Sequence, residues 1–257
     1  MDNHIVLEKC KTIRKIASSA LKGNWFKVAI VFALYFVLND FVPSLLDDVI
    51  GISKEYSYYI GGAPISVSIS YFKSFYEFIL QGVFTYGIYA YFVTYLRTRN
   101  TACKTFFSGF SMFLKNFWLT FVIAIKILLW ALLFVIPGII AAIRYSQSYL
   151  VLYDHPDYSA TECIRESKRL MTGNKMKYFL LLLSYIGWLF LASIPSGLYD
   201  SFIANGTISQ PSDLIYDVLA LVLLIPHFFV QSYLFTGEVA FYDLLTEKLV
   251  PTENEKN

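Results

Sequence analysis

The amino-acid sequence predicts an all-α, polytopic membrane bundle of about six transmembrane helices, and three observations predict it. Hydrophobic residues make up 56% of the chain and charged ones only 16%, where soluble domains average roughly 45–50% and 25%. Apolar runs of the roughly 20 residues that a bilayer requires recur along the chain. Lys and Arg cluster in alternate segments between those runs. No stretch is polar and long enough to form a second domain, so residues 1–257 read as one integral membrane domain.

Residues 1–23 intersperse Lys9, Lys11, Arg14, Lys15 and Lys22 with apolar positions. They lack the apolar core and small-residue cleavage site of a signal peptide, so the first span is expected to act as an uncleaved insertion signal. The spans are placed at 24–46, 71–96, 117–136, 139–153, 178–199 and 214–245, with 247–257 as a tail. Pro137-Gly138 is a breaker pair and divides the third from the fourth. The sixth run is overlong and contains Pro226, which predicts a kink or a tilt. The fourth is short and polar, so a single broken helix over 117–153, giving five spans, is the competing reading.

Charge placement decides between them. Six spans leave seventeen of the 21 Lys and Arg on one side, with Lys54 and Lys73 opposite and Lys126 and Arg144 within spans. Five spans would put Arg165, Lys168, Arg169, Lys175 and Lys177 outside, against the positive-inside rule. Both termini are therefore expected in the cytoplasm. The external loop over 200–213 has no Lys or Arg, and in the loop over 51–70 the alternation from Val67 to Ser70 permits a short strand.

Three stretches with helical periodicity precede pairs of spans: 5–21, 106–113 and 160–171. Each is expected to lie on the inner membrane surface, apolar side chains dipped in and basic ones on anionic headgroups. The first and third end alike, at Gly23-Asn24 and Gly173-Asn174. Glycine tolerates the left-handed conformation that closes a helix, and asparagine is expected to cap the following span with its side-chain oxygen. Asn116 offers a looser match without the glycine. Ser159-Ala160-Thr161-Glu162 fits a capping box, and Pro156-Asp157 a stop for the preceding helix. A three-fold repeat of surface helix plus hairpin follows, with ordinary helix corners as the alternative.

Several of these residues carry a family resemblance. Gly23-Asn24-Trp25, Pro137-Gly138-Ile139-Ile140 leading to Tyr145-Ser146, and Pro156-Asp157 with Ser159-Ala160 are among them. So are Glu166-Ser167-Lys168, Leu170-Met171, Gly173-Asn174-Lys175 and Ile186-Gly187-Trp188. With these the chain resembles the DUF975 family of bacterial membrane proteins, whose name denotes a domain of unknown function. The resemblance implies a multi-pass plasma-membrane protein, from a Gram-positive bacterium, and supplies no catalytic residues.

Ionisable groups inside spans suggest function by default. Lys126 and Arg144 are placed near mid-membrane on neighbouring helices, where two cations could share an anion. Gln147 and Ser148 follow Arg144 at i+3 and i+4, and His227, Gln231 and Glu238 form a stripe on the sixth helix. Lys126, Arg144, Gln147, His227 and Gln231 are the candidate ligand-binding residues, with Lys126, Arg144 and His227 expected to line one cavity. The competing reading is packing, with Lys126 snorkelling along its stem. Asp40 and Glu77 mark span ends or pair with Lys73. Gly82, Gly87, Ser184 and Gly187 are small enough for close helix approach.

Other chemistry finds no support. His4, His155 and His227 are scattered, and Cys10, Cys103 and Cys163 lack metal-ligand spacing and are expected as free cytoplasmic thiols. There is no Gly-x-Ser-x-Gly elbow and no phosphate-binding loop, so neither an enzyme nor a cofactor is expected. Beside flanking spans, the basic stretches fit anionic lipid better than nucleic acid. The leading functional reading is a non-enzymatic protein that binds or conducts a small or amphipathic anion, or serves as accessory subunit to a transport or cell-envelope complex. The alternative is a scaffold that organises anionic lipid through its basic surface helices.

Overall fold

A computed structural model of the chain describes residues 4–50, 53–60, 63–204 and 213–249. Most of the expected external loop over 200–213 and the end of the tail, 250–257, lie outside the described residues. Among the described residues the regular structure is helical apart from one antiparallel hairpin. In order come α1 (Cys10–Leu21), α2 (Trp25–Phe36), a π-helical turn (Val37–Phe41) and α3 (Val42–Ile50). Strands β1 (Ser53–Ile60) and β2 (Ala63–Ser70) pair from Ser53 opposite Ser70 to Ile60 opposite Ala63, extending the short strand anticipated at 67–70. Then follow α4 (Tyr71–Thr98), a 3-10 segment (Cys103–Met112), α5 (Phe113–Leu133), α6 (Val135–Tyr145), α7 (Ser148–Asp154), α8 (Ala160–Leu170), α9 (Lys175–Ala204), α10 (Asp213–Leu223) and α11 (Ile225–Leu245).

Among the described residues, four stretches are long and apolar enough to cross a membrane: Trp25–Asp47, Cys103–Leu133, Val135–Asp154 and Lys175–Ile203. Helices α4 and α11 fall short of that hydropathy because they carry tyrosines, acids, amides and a histidine. Their position accounts for it. From Gly82 to Leu96 nearly every residue of α4 is buried, and from Thr236 to Leu245 every residue of α11 is. The two are the centre of the bundle, and the more apolar helices surround them.

Proline and glycine punctuate the chain close to where they were expected. The α5–α6 break falls at Phe134, which is extended (φ −163°, ψ 153°), rather than at Pro137-Gly138. Pro137 instead occupies the first turn of α6, where its missing N–H removes a donor that would be unpaired anyway. A Cβ on Gly138 would press on Ala131, so this glycine lets the hairpin close. Likewise α10 and α11 part at Leu224, with Pro226 in the first turn of α11. In α3, Pro43 offers no N–H to the carbonyl of Asn39, consistent with the π-helical widening just before it.

At the corners after α1 and α8, Gly23 and Gly173 take φ of 83° and 84°, as a left-handed helix end requires. The asparagines beside them do not act as expected. Asn24 makes no side-chain cap. Asn174 is fully buried; its Oδ1 accepts from the Val6 amide at 2.9 Å, and its Nδ2 donates to the carbonyls of His4 and Leu170. Tying down the N-terminal segment satisfies backbone groups that burial would leave unpaired, and this wins over capping α9. Asn116 donates to the Gly109 carbonyl in the same manner, from α5 back to the 3-10 segment. The stretch leading into α5 is thus a 3-10 segment, not an α-helix.

The surface helices also differ from expectation. Ile13, Ile16, Ala17, Ala20 and Leu21 of α1 are buried. Tyr95 donates to the Ala20 carbonyl, Tyr233 to the Arg14 carbonyl, and Arg14 to the Ser184 carbonyl. On α8, Ala160, Cys163, Ile164, Ser167 and Leu170 are buried as well. Both apolar faces are therefore covered by the protein rather than left to dip into lipid. The capping box at the start of α8 forms as expected, with the Ser159 amide on Glu162 at 2.8 Å and the Glu162 amide on Ser159 Oγ at 3.4 Å.

Close approach was correctly anticipated at Gly82 and Gly87. A Cβ at Gly82 would strike the Asn116 backbone and Thr120 of α5, and one at Gly87 the Phe106 carbonyl. Gly187 has open space around it among the described residues, so of its two expected roles, packing within the bundle or between protomers, it does not serve the first. Gly82→Ala should cost about 1–3 kcal/mol through the forced shift, whereas Gly187→Ala should leave thermal unfolding in detergent unchanged. Hydrogen bonds from Ser159 hold the Glu162 carboxyl below its ordinary value. This stabilises α8 above the unfolded carboxyl's pKa of about 4.3 and fades as pH falls through the lower folded value. Amide exchange in the first turn of α8 should therefore quicken on acidification, and Glu162→Gln should abolish that response.

Candidate functional site

Buried polar groups gather in two layers along the C-terminal part of α11. In the first, Arg97 ends α4 between two carboxylates. Its guanidinium donates to Asp243 at 2.6 Å and to Asp154 at 2.7 Å. Asp154 also accepts from Tyr242 at 2.8 Å and from Lys248 at 2.6 Å. Asp154 and Asp243 have side chains only 6% and 2% exposed, a depth at which an unpaired charge would be costly. Two acids, one arginine and one lysine leave the cluster neutral, and it clamps α4, α7 and α11 together. Glu247, at φ 57°, turns the chain so that the Lys248 and Leu249 amides bond the Asp243 carbonyl.

The second layer lies about 8 Å further along α11, five residues from Asp243. Here Glu238 is buried, with the Tyr178 hydroxyl at 2.7 Å on one oxygen and that of Tyr89 at 2.9 Å on the other. No Lys, Arg or His among the described residues bonds it. Tyr89 stacks on Tyr149, and Tyr149 shares a 2.6 Å hydrogen bond with Thr120. Ser146 and Gln147 lie beside the Tyr178 hydroxyl. A Cβ on Gly237 would strike the Tyr185 hydroxyl, so the glycine makes room for another tyrosine. Sequence reasoning placed Glu238 on a polar stripe but missed Tyr89 and Tyr178. Aromatic residues are so frequent here that no local signal sets these two apart.

The five candidate residues do not form one site. Gln147 is buried next to Tyr178, at the level of Glu238. His227 and Gln231 bond each other at 3.1 Å, but His227 lies eleven residues, about 16 Å, from Glu238 along α11. The Arg144–Gln147–Ser148 stripe is interrupted, because the helix breaks at Ser146-Gln147 between α6 and α7. Ser167 of α8 repairs that break: its Oγ donates to the Arg144 carbonyl at 2.9 Å and accepts the Gln147 amide at 3.2 Å. The side chains of Lys126 and Arg144 are half-buried and form no hydrogen bond or ion pair among the described residues. Lys73 bridges Asp40 at 3.5 Å and Glu77 at 3.7 Å, the pairing anticipated for these two acids. Among the described residues no group of three His, Cys, Asp or Glu could hold a metal, and Cys10, Cys103 and Cys163 are free.

Surfaces of hydrocarbon character around a centre of internally paired polar groups define an α-helical protein of membrane type. The chain belongs to the DUF975 family of proteins of unknown function, whose model matches residues 7–142 and 132–249. No curated protein and no solved structure matches it.

Replacing Arg97 with Met leaves the buried Asp243 carboxylate without its cation and Asp154 with Lys248 and Tyr242 alone, and should cost about 3–5 kcal/mol. Lys248→Met removes only a partly exposed partner and should cost far less. Thermal unfolding of the two variants in one detergent checks the order.

Proposed function

We propose that this protein is a non-enzymatic, multi-pass component of the bacterial plasma membrane, with both termini cytoplasmic, whose inner face binds anionic lipid headgroups. One observation carries the reading. The apolar faces of α1 and α8 are already covered by the bundle, while Lys9, Lys11, Lys22, Lys27, Lys104 and Arg165 remain exposed. A helix that has no free apolar face cannot insert, so what it offers the membrane surface is charge. Exposed Phe26, Phe107, Phe110 and Trp118 are interspersed with these cations in the sequence, and aromatic side chains of this kind are at home at the headgroup level.

Conduction of an anion draws less support. Arg97, Asp154, Asp243 and Glu238 all bond protein groups, and Glu238 places a carboxyl, not a cation, at the centre of the bundle. The charge asymmetry along the chain supports the orientation: seventeen of 21 Lys and Arg sit in segments assigned to the cytoplasm. A role as accessory subunit of a transport or envelope complex remains compatible with this reading.

Each Lys near an anionic surface contributes roughly 1 kcal/mol. Changing Lys11, Lys22, Lys27 and Lys104 together to Gln should therefore lower the amount of phosphatidylglycerol retained through detergent washing by about tenfold or more. Retention of a zwitterionic lipid should not change. Equal loss of both lipids, or of neither, would remove the basis for this function.

A further inference from the structure

We infer that the α5–α6 hairpin does not cross the membrane but re-enters it from the cytoplasmic side, its tip resting among lipid acyl chains. The inference rests on the orientation proposed above and concerns a different part of the chain.

The tip has the wrong chemistry for an external loop. Loops facing water carry polar and turn-forming residues. Here no charged, amide or hydroxyl side chain occurs between Lys126 and Arg144. Leu132 through Ile136, at the bend itself, are 63–74% exposed. Five consecutive apolar residues turned outward at a helix junction require hydrocarbon around them. The backbone suits that setting, where unpaired polar groups are costly. Phe134 is the single extended residue, its N–H bonds the Trp130 carbonyl, and its own carbonyl accepts from Gly138. Pro137 eliminates one of the amides that a helix start leaves open.

The reach on the α6 side is also short, and α5, 21 residues or about 31 Å long, keeps the tip in the inner half only by lying oblique to the membrane. Ser167 of α8 holds the Arg144 carbonyl. From there to Val135, the start of α6, is nine residues, or about 14 Å, less than half of a hydrocarbon core about 30 Å thick. Length alone makes Val135–Asp154 a candidate span, but its second half, α7, is angled at Ser146-Gln147, and Ser148, Leu150, Val151 and Leu152 are buried in protein. The neighbouring helix gives an independent measure. Ile136, Ile139, Ile140 and Ile143 share a groove of about 340 Å³ with Lys175, Met176 and Phe179, the opening turns of α9. Beyond Phe179, α9 continues to Ala204, about 37 Å further. The hairpin thus lies beside the start of a helix that goes on to cross.

This geometry also accounts for the two cations. Lys126 is eight residues and Arg144 ten residues from Phe134, about 12 and 15 Å from the tip. With the tip in the inner half of the bilayer, both approach the inner headgroup layer, where lipid phosphate supplies the partner that the protein does not. Four crossings then remain, α2–α3, α4, α9 and α10–α11, and both termini keep the same side.

The test uses full-length protein with its three cysteines changed to Ser and single cysteines introduced as Phe134→Cys, Ile136→Cys and Ser209→Cys. Both tip positions are exposed, so neither substitution disturbs packing. A membrane-impermeant maleimide is applied to intact cells, and the tip variants, labelled with bimane in detergent, are returned to bilayers containing nitroxide-bearing acyl chains. Labelling of Ser209→Cys from outside, none at either tip cysteine, and strong quenching of both tip labels by acyl-chain nitroxide is the expected result. Labelling of the tip from outside at the level of Ser209→Cys, or tip fluorescence indifferent to acyl-chain nitroxide, overturns the re-entrant hairpin. Absence of labelling at Ser209→Cys would instead overturn the orientation on which the inference rests.

Discussion

A charged or hydrogen-bonding group surrounded by hydrocarbon has no water to turn to, so the protein must supply its partner or keep it out of the lipid. The arrangement of this bundle follows from that constraint. Its two most polar long helices, α4 and α11, are the ones enclosed by the others, and many of their polar side chains bond one another or a neighbouring helix. Arg97 is balanced by Asp154 and Asp243, with Lys248 completing the set. Glu238 has one tyrosine hydroxyl for each carboxyl oxygen. The surrounding helices can be almost wholly apolar because the centre has absorbed the polarity.

The same constraint separates what could be read in the sequence from what could not. Punctuation was legible because it is local. Gly23 and Gly173 bend the chain through left-handed residues, Pro226 opens a helix, and Ser159 with Glu162 caps another. Each effect is decided within four or five residues. The partners of Asn174 were not legible, since Val6 and His4 lie about 170 residues away. Nor was the burial of the apolar stripe on α1, because periodicity states that a face is apolar and leaves open whether lipid or protein covers it.

Counting residues along an apolar run measures length, not depth, and this is why residues assigned similar depths need not come together. Lys126 and Arg144 were placed at mid-membrane on the premise that each run crosses from one surface to the other. Depth is set by anchors outside the run: Ser167 on the Arg144 carbonyl, the first turns of α9 beside Ile136, and Tyr178 next to Gln147. Those contacts put Gln147 with Glu238 and leave His227 about 16 Å away along its own helix. A polar stripe drawn on one helical wheel therefore divides among three environments.

The positive-inside rule accommodates either topology of the α5–α6 hairpin, because the choice does not alter which basic segments share a side. A hairpin that re-enters and a hairpin that crosses twice both return the chain to the side it left. Arg165, Lys168, Arg169, Lys175 and Lys177 therefore stay with Arg97, Arg99, Lys104 and Lys115 in either case. What separates the two is the chemistry of the bend, and a run from Leu132 to Ile140 without one polar side chain has nothing to offer external water. With the hairpin confined to one leaflet, every basic segment, both unpaired cations and the buried ion-pair layer fall on or near the cytoplasmic half. The protein is then asymmetric across the bilayer in its chemistry as well as its charge, and its inner leaflet is where a ligand or partner has most to recognise.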